Sequence, residues 1–287
     1  MERIVSLQNT RVRAWRKLQT RKGRERAGLF LLEGTHVVAE ALAAGAPVTH
    51  VLWDETRPLP EELATWARGA EGPCWVACTP EVIAHLATTE TPQAVLAIAR
   101  MPVRDWRQWL AEQATTATGR GLLLLVDAVQ DPGNVGTLIR TADAAGADAV
   151  FLGTGTADAY NPKTVRATMG SLFHVPVFAA PLADVVPALR KAGWAVWTAA
   201  LSGCRYDDPA LYVSPTAFVV GNEGSGVSPD LAALADGAVT IPMPGRAESL
   251  NVAVAAGVLL FEAVRQRGQQ GGAGVPYPPD VRGGSAK

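Results

Sequence analysis

The sequence predicts an α/β protein in which a small amino-terminal α/β domain precedes a larger domain built on a parallel sheet. The chain has 287 residues, more than one compact core usually takes, so two domains are expected. Short apolar runs alternate with helical patterns along nearly its whole length, the signature of layered α/β architecture. The run "GLLLLVDAV" at 121–129 opens with an uninterrupted apolar stretch, the kind that is buried on both faces of a parallel sheet.

In the first part, residues 1–105, the strands are expected at "LFLLEG", "VTHVLWD", "CWVACT" and "AVLAIAR", with helices at 35–44, 60–69 and 80–86 between them. Residues 106–120 begin as a helix and end in small polar residues, so the linker is placed there. The second domain, 121–268, continues with strands at "AVFLG", "HVPVFAA", "WAVWTAAL", "TAFVVGNE" and "GAVTIPM". Residues 269–287 are rich in Gly and Pro and are expected to form a disordered tail, with Gly268 stopping the last helix.

Composition excludes several classes. Hydrophobic residues make up 48% and charged residues 18%, which rules out a wholly disordered chain. No apolar run is long enough to span a membrane, and the amino terminus lacks an export signal, so a cytoplasmic protein is expected. Cys74, Cys78 and Cys204 are too few and too scattered for a disulfide framework. The histidines show no ligand spacing. No metal site is expected, and the thiols read as buried or half-buried.

Charge is uneven. The formal net charge is −1, yet the first 27 residues carry nine cations against two anions, +7, leaving −8 elsewhere. Arg3, Arg11, Arg13, Arg16, Lys17, Arg21, Lys22, Arg24 and Arg26 therefore make a basic pole suited to a phosphate backbone. A solvated helix face is the bland alternative, but Trp15 and the apolar "LFLLEG" argue that the segment is folded.

The strand at 121–129 runs into "QDPGNVGTLIRTADAAGA", where Asp131 and Pro132 start a helix. Val135, Leu138, Ile139 and Ala142 fall on one face and Gly136, Thr137, Arg140 and Asp143 on the other. Gly136 is expected to leave room for a molecule approaching Arg140. Two glycine-rich turns follow strands: "FVVGNEGSGVSP", with Asn222 and Glu223, and "TIPMPGRAESLNVAVAAGVLLFE", where Ser249 and Asn251 bracket Leu250. Turns at the carboxyl ends of strands are where open α/β sheets place ligands. The G-x-G in "FLGTGTAD" is a weaker dinucleotide pattern, because Asp158 stands where a third glycine belongs.

Read in order, "DPGNVGTLIRTADAAGA", "VVGNEGSGV" and "IPMPGRAESLNVAVAAGVLLFE" resemble the SpoU or TrmH branch of the SPOUT superfamily of RNA ribose 2′-O-methyltransferases. The resemblance implies S-adenosyl-L-methionine as cofactor, a deep trefoil knot in the catalytic domain and a homodimer. It implies that Asn134, Arg140, Glu223, Ser249 and Asn251 are catalytic, and that Gly221, Ile241, Leu250, Thr198 and Ala199 hold the cofactor, largely through backbone groups. The amino-terminal third is similar to the ribosomal-protein-like RNA-binding domain of many members, with Arg11, Arg13, Arg16, Lys17, Arg21, Lys22, Arg24 and Arg26 as its RNA contacts. The separate domain favours 23S rRNA over tRNA as substrate. The layout is also similar to self-resistance enzymes of the avilamycin type. A non-catalytic RNA-binding protein and a nicotinamide-dependent oxidoreductase are the competing readings.

Overall fold

The structure is a computed structural model and describes residues 2–69, 72–116, 121–209 and 211–270. The first part contains β1 (Glu2–Ile4), α1 (Thr10–Arg16), α2 (Arg21–Ala27), β2 (Leu29–Glu33), α3 (Thr35–Ala43), β3 (Val48–Asp54), α4 (Glu61–Ala67), β4 (Cys74–Cys78), α5 (Pro80–Leu86) and β5 (Val95–Arg100). Its sheet runs β1-β4-β3-β5-β2, with β5 antiparallel to both neighbours. The apolar runs of the sequence supply β2 to β5, while β1 was not visible as a run because it has only three residues.

The second part contains α6 (Trp106–Thr116), β6 (Leu122–Val126), α7 (Pro132–Ala144), β7 (Ala149–Leu152), α8 (Pro162–Thr168), β8 (Val177–Ala179), α9 (Leu182–Lys191), β9 (Ala195–Arg205), β10 (Thr216–Val220), α10 (Pro229–Ala232), β11 (Gly237–Thr240) and α11 (Val252–Gln270). The sheet order is β11-β9-β10-β6-β7-β8, and every pairing is parallel. All five residues of β6 are buried, as a strand covered on both faces requires.

Several expectations need correction. Much of the expected linker is α6, whose Trp106 and Leu110 are buried with Phe151 and Phe178 against the second sheet. Trp109 sits 5.9 Å from Phe151 and 5.5 Å from Phe178. The helix expected at the start of the linker is thus packed on the core of the second part. Helix α11 passes through Gly268 to Gln270, since its packed apolar face outweighs the modest cost of one glycine. The rest of the expected disordered tail, from 271 onward, lies outside the described residues. Cys78 is buried, and burial pushes its thiol up to about 12, but Cys74 and Cys204 are exposed.

The two parts share one apolar core: Phe30 and Leu32 of the first sheet join Leu124, Val126 and Leu172 of the second part. Polar ties flank it. Buried Glu33 accepts from Arg166 at 3.1 Å and from Thr88 Oγ1 at 2.7 Å, and Arg24 pairs with Asp158.

Candidate active site

Strands β6 and β10 lie side by side, but the chain leaves β6 toward β7 and leaves β10 toward β11, on opposite sides. Neighbouring parallel strands whose connections diverge open a crevice at their carboxyl ends, the usual ligand position in open α/β sheets. The crevice is bounded by the loop 127–131 after β6 and the turn 221–227 after β10. Asn222 ties the two together: its Nδ2 donates to the Ala128 carbonyl at 2.9 Å, while its Oδ1 accepts from the Gly224 N–H at 2.9 Å. Ala128 has a φ of 53°, a left-handed conformation that costs energy for a residue with a Cβ, so the corner is held against its own preference. A Cβ on Gly221 would lie 2.0 Å from the Gly226 carbonyl carbon, so only glycine lets this turn fold back on itself.

Helix α7 starts at this crevice. Asp131 caps it, accepting from the Asn134 N–H at 2.9 Å, and Lys163 holds the Asp131 carboxylate at 2.8 Å. With its backbone fixed there, Asn134 donates from Nδ2 to Glu223 Oε1 at 2.9 Å and accepts at Oδ1 from Asn251 Nδ2 at 3.0 Å. Asn251 in turn caps α11, its Oδ1 accepting from the Ala253 N–H at 2.9 Å. The Glu223 carboxylate thus sits at the amino terminus of α7, where the helix dipole favours the ionised form, and Asn251 links that end of α7 to the start of α11. Burial pushes the Glu223 carboxyl up, but the Asn134 amide and the backbone N–H groups of Glu223, Gln130 and Asp131 outweigh it and hold the group below its ordinary value.

The three motif segments therefore meet at Asn134. A model described as the SpoU rRNA Methylase family matches residues 121–261, and one described as an MRM3-like substrate binding domain matches residues 9–97. The 23S rRNA (guanosine(2553)-2′-O)-methyltransferase RlmP of Bacillus subtilis is 43% identical over 263 residues, 91% of this chain and 98% of that protein. The chain belongs to the SpoU rRNA methylase family. Another SpoU relative, the 23S rRNA (uridine(2479)-2′-O)-methyltransferase of Streptomyces viridochromogenes, is 36% identical over 277 residues, covering 92% and 93% of the two chains. The crystal structure of the SpoU methyltransferase AviRb from the same organism, in complex with the cofactor AdoMet, superposes with a TM-score of 0.80 at 35% identity, covering 91% of this chain and 98% of that one.

Against the SpoU pattern, the expected catalytic residues divide. Asn134, Glu223 and Asn251 form the hydrogen-bonded chain just described. Arg140 lies on the same helix, about 9 Å further along at 1.5 Å per residue, exposed and without a hydrogen bond or ion pair among the described residues. Ser249 is also exposed and makes no hydrogen bond among them. The amide of Asn134 is committed to Glu223 and Asn251 and makes no bond to the Arg140 guanidinium. Gly136 is corrected too: a Cβ there would lie 2.5 Å from Ala167 Cβ and 2.6 Å from the Thr164 carbonyl, so the missing side chain admits α8, not a ligand.

The expected cofactor residues line one rim. Thr198 pairs with Ala238 and Cys204 with Val239, so residues 199–203 bulge out of the β9–β11 ladder at its carboxyl end. The bulge starts beside Gly221, which follows the β10 residues paired with β9. Ala199 and Ile241 pack partly into the core, Leu201 and Leu250 are exposed, and the Thr198 hydroxyl is spent on the Gly237 carbonyl at 3.2 Å. Backbone amides and carbonyls beside exposed apolar side chains suit an adenine and a methionyl chain, so the donor set fits S-adenosylmethionine.

The basic pole also divides. Arg13, Lys17, Lys22 and Arg26 are exposed and unpaired among the described residues. Arg11 pairs with Glu2, Arg21 with Glu25 at 2.8 Å, and Arg16 donates to the His85 carbonyl. Arg24 is not an RNA contact. Its side chain is 2% exposed, paired with Asp158 and donating to the Leu18 carbonyl at 2.9 Å, because a cation this deep needs its donors satisfied. Sequence reasoning missed Asp127, which accepts from the Ser228 N–H at 2.8 Å, and the bracing role of Asn222, although an Asn between a strand and two glycines is a turn-forming signal.

Proposed function

We propose that this chain transfers the methyl group of S-adenosylmethionine to a ribose 2′-oxygen of 23S rRNA. The observation that carries the reading is the Glu223–Asn134–Asn251 chain, which unites the family's separated motifs at the switch point of the parallel sheet. Both named relatives modify 23S rRNA at a 2′-oxygen and match this chain over more than nine tenths of its length. The self-resistance role is not carried into the proposal, since the relative with the higher identity of the two is named for a different nucleotide.

When bound, S-adenosylmethionine supplies a methyl group already activated on a sulfonium, so positioning accounts for much of the remaining barrier. The bulge 199–203, the turn at Gly221 and the segment from Ile241 to Leu250 would hold it, mainly by backbone groups. Arg140, exposed on α7, offers five donors in a rigid fork to a substrate phosphate and to the 2′-oxygen as it gains charge. A guanidinium stays protonated, so it is a poor base, and Glu223 is held ionised and bonded to Asn134. Water or a substrate phosphate therefore takes the proton. Ser249 and Asn251 border the same opening, where the ribose would enter.

The proposal includes a homodimer: Leu250, Val254 and Phe261 leave exposed apolar groups at helical spacing on and beside α11. It includes the trefoil knot the family implies, supported by the out-of-order placement of β9, β10 and β11. Among the described residues no helix is long and apolar enough to cross a membrane.

The test is incubation of the pure protein with tritiated S-adenosylmethionine and unmodified rRNA, followed by mapping of alkali-resistant positions. Label at a single ribose of 23S rRNA is expected. Label on a base, or RNA binding without transfer, would overturn the reading.

A further inference from the structure

Between the two sheets lies a cavity of about 180 Å³ that the methyl-transfer site does not use. Its walls come from both parts of the chain. Phe30 of β2 faces Tyr160 with ring centroids 4.8 Å apart and Phe173 at 6.5 Å. Arg100, at the end of β5, and Arg104, just beyond it, stand at the same opening, and both are exposed. Neither guanidinium has an ion pair or a side-chain hydrogen bond among the described residues. The Tyr160 hydroxyl also has no protein partner among them, and burial pushes it up to about 12, so it remains a donor at neutral pH.

We propose that this cavity receives one nucleobase of single-stranded RNA, stacked against the half-buried Tyr160 and Phe173 that the buried Phe30 backs, with the flanking phosphates on Arg100 and Arg104. The size agrees, since an apolar cavity of about 150 Å³ admits one benzene ring and this one is somewhat larger. The chemistry agrees as well: aromatic walls take the face of any base, and unpaired guanidinium groups at the mouth complement the backbone on either side. Tyr160 lies in the connection leaving the carboxyl end of β7, the sheet end from which the methyl-transfer loops emerge, so the cavity and the site share one end of the second sheet. The inference rests on the RNA methyltransferase reading and adds to it a point of substrate recognition.

The experiment uses the full chain and a single-stranded oligouridylate carrying one 4-thiouridine. Irradiation is expected to cross-link that base to Tyr160 or Phe173, and Ala44→Trp, which fills the mouth from an exposed position, should abolish the cross-link. Replacing both Arg100 and Arg104 by Gln should weaken binding about tenfold and reduce the logarithmic salt slope by about 1.4, the value for two single-strand phosphate contacts. S-adenosylmethionine affinity should stay unchanged in both variants. Cross-links confined to other residues, or variants that bind the oligonucleotide and methylate rRNA like the parent, would overturn the cavity's role while leaving the enzyme reading intact. Absence of methyl transfer by the parent protein would instead strike the underlying reading, and this inference would fall with it.

Discussion

Asn134 and Glu223 are hydrogen-bonded, Nδ2 to Oε1 at 2.9 Å, although 89 residues separate them. The bond crosses the crevice between β6 and β10, and Asn251 completes it from the far side at 3.0 Å. A hydrogen bond to a charged group contributes about 1.5–3 kcal/mol, so removing this one should be visible in the rate. Asn134→Ala is expected to lower the single-turnover methyl-transfer rate by about tenfold to a hundredfold. A variant as fast as the parent would show that the bond has no part in organising the site.

The same bond sets a pH dependence. Burial pushes the Glu223 carboxyl up, and the Asn134 amide with the surrounding backbone N–H groups outweighs it, leaving the folded value below the ordinary 4.5. A depressed carboxyl stabilises the folded state above its unfolded pKa, and that contribution is lost as pH falls through the folded value. The cluster should therefore stay intact at neutral and mildly acidic pH. Carbon-13 NMR should find the Glu223 midpoint below 4.5 in the parent and higher in Asn134→Ala. Identical midpoints would contradict the account.

Arg140 separates chemistry from cofactor binding. It stands exposed on α7, a helix that supplies none of the residues expected to hold the methyl donor. Arg140→Ala should abolish turnover while leaving S-adenosylmethionine affinity, measured by calorimetry, within about threefold, or about 0.7 kcal/mol. Methylation at the normal rate would remove Arg140 from the mechanism.

Arg24 and Lys22 are neighbours with opposite fates. Arg24 is buried against Asp158 and two carbonyls, and removing one member of such a pair strands the other. Arg24→Ala should cost about 3–5 kcal/mol in urea unfolding. Lys22→Ala, at an exposed position, should leave stability nearly unchanged and lower the salt dependence of RNA binding. Equal stability of the two variants would count against the burial of Arg24.

The strands were legible because their signal is local. Leu122 to Val126 read as a doubly covered strand and are all buried, and the turns after β10 and β11 were flagged by their glycines, prolines and polar residues. Glu223 and Asn251 stood out in their turns, whereas Asn134 and the catalytic roles of all three came from the family resemblance, and their mutual bonds depend on strand order, which no local pattern encodes. Arg24 was misread for the same reason. Its partner Asp158 is 134 residues away, so the local sequence shows only one more cation in a basic run. Gly136 was misread because α8, which fills the space beside it, is a later segment of the chain. Trp106 and Leu110 looked like linker because the sheet that buries them had not yet begun.

A crystal structure of the protein soaked with S-adenosylmethionine bears on all of this at once. The donor should lie at the carboxyl end of the second sheet, between the bulge 199–203, the turn 221–227 and the segment 241–251, with its methyl group open toward Arg140. A donor bound elsewhere, or those segments drawn apart with the Asn134–Glu223 bond broken, would contradict the account.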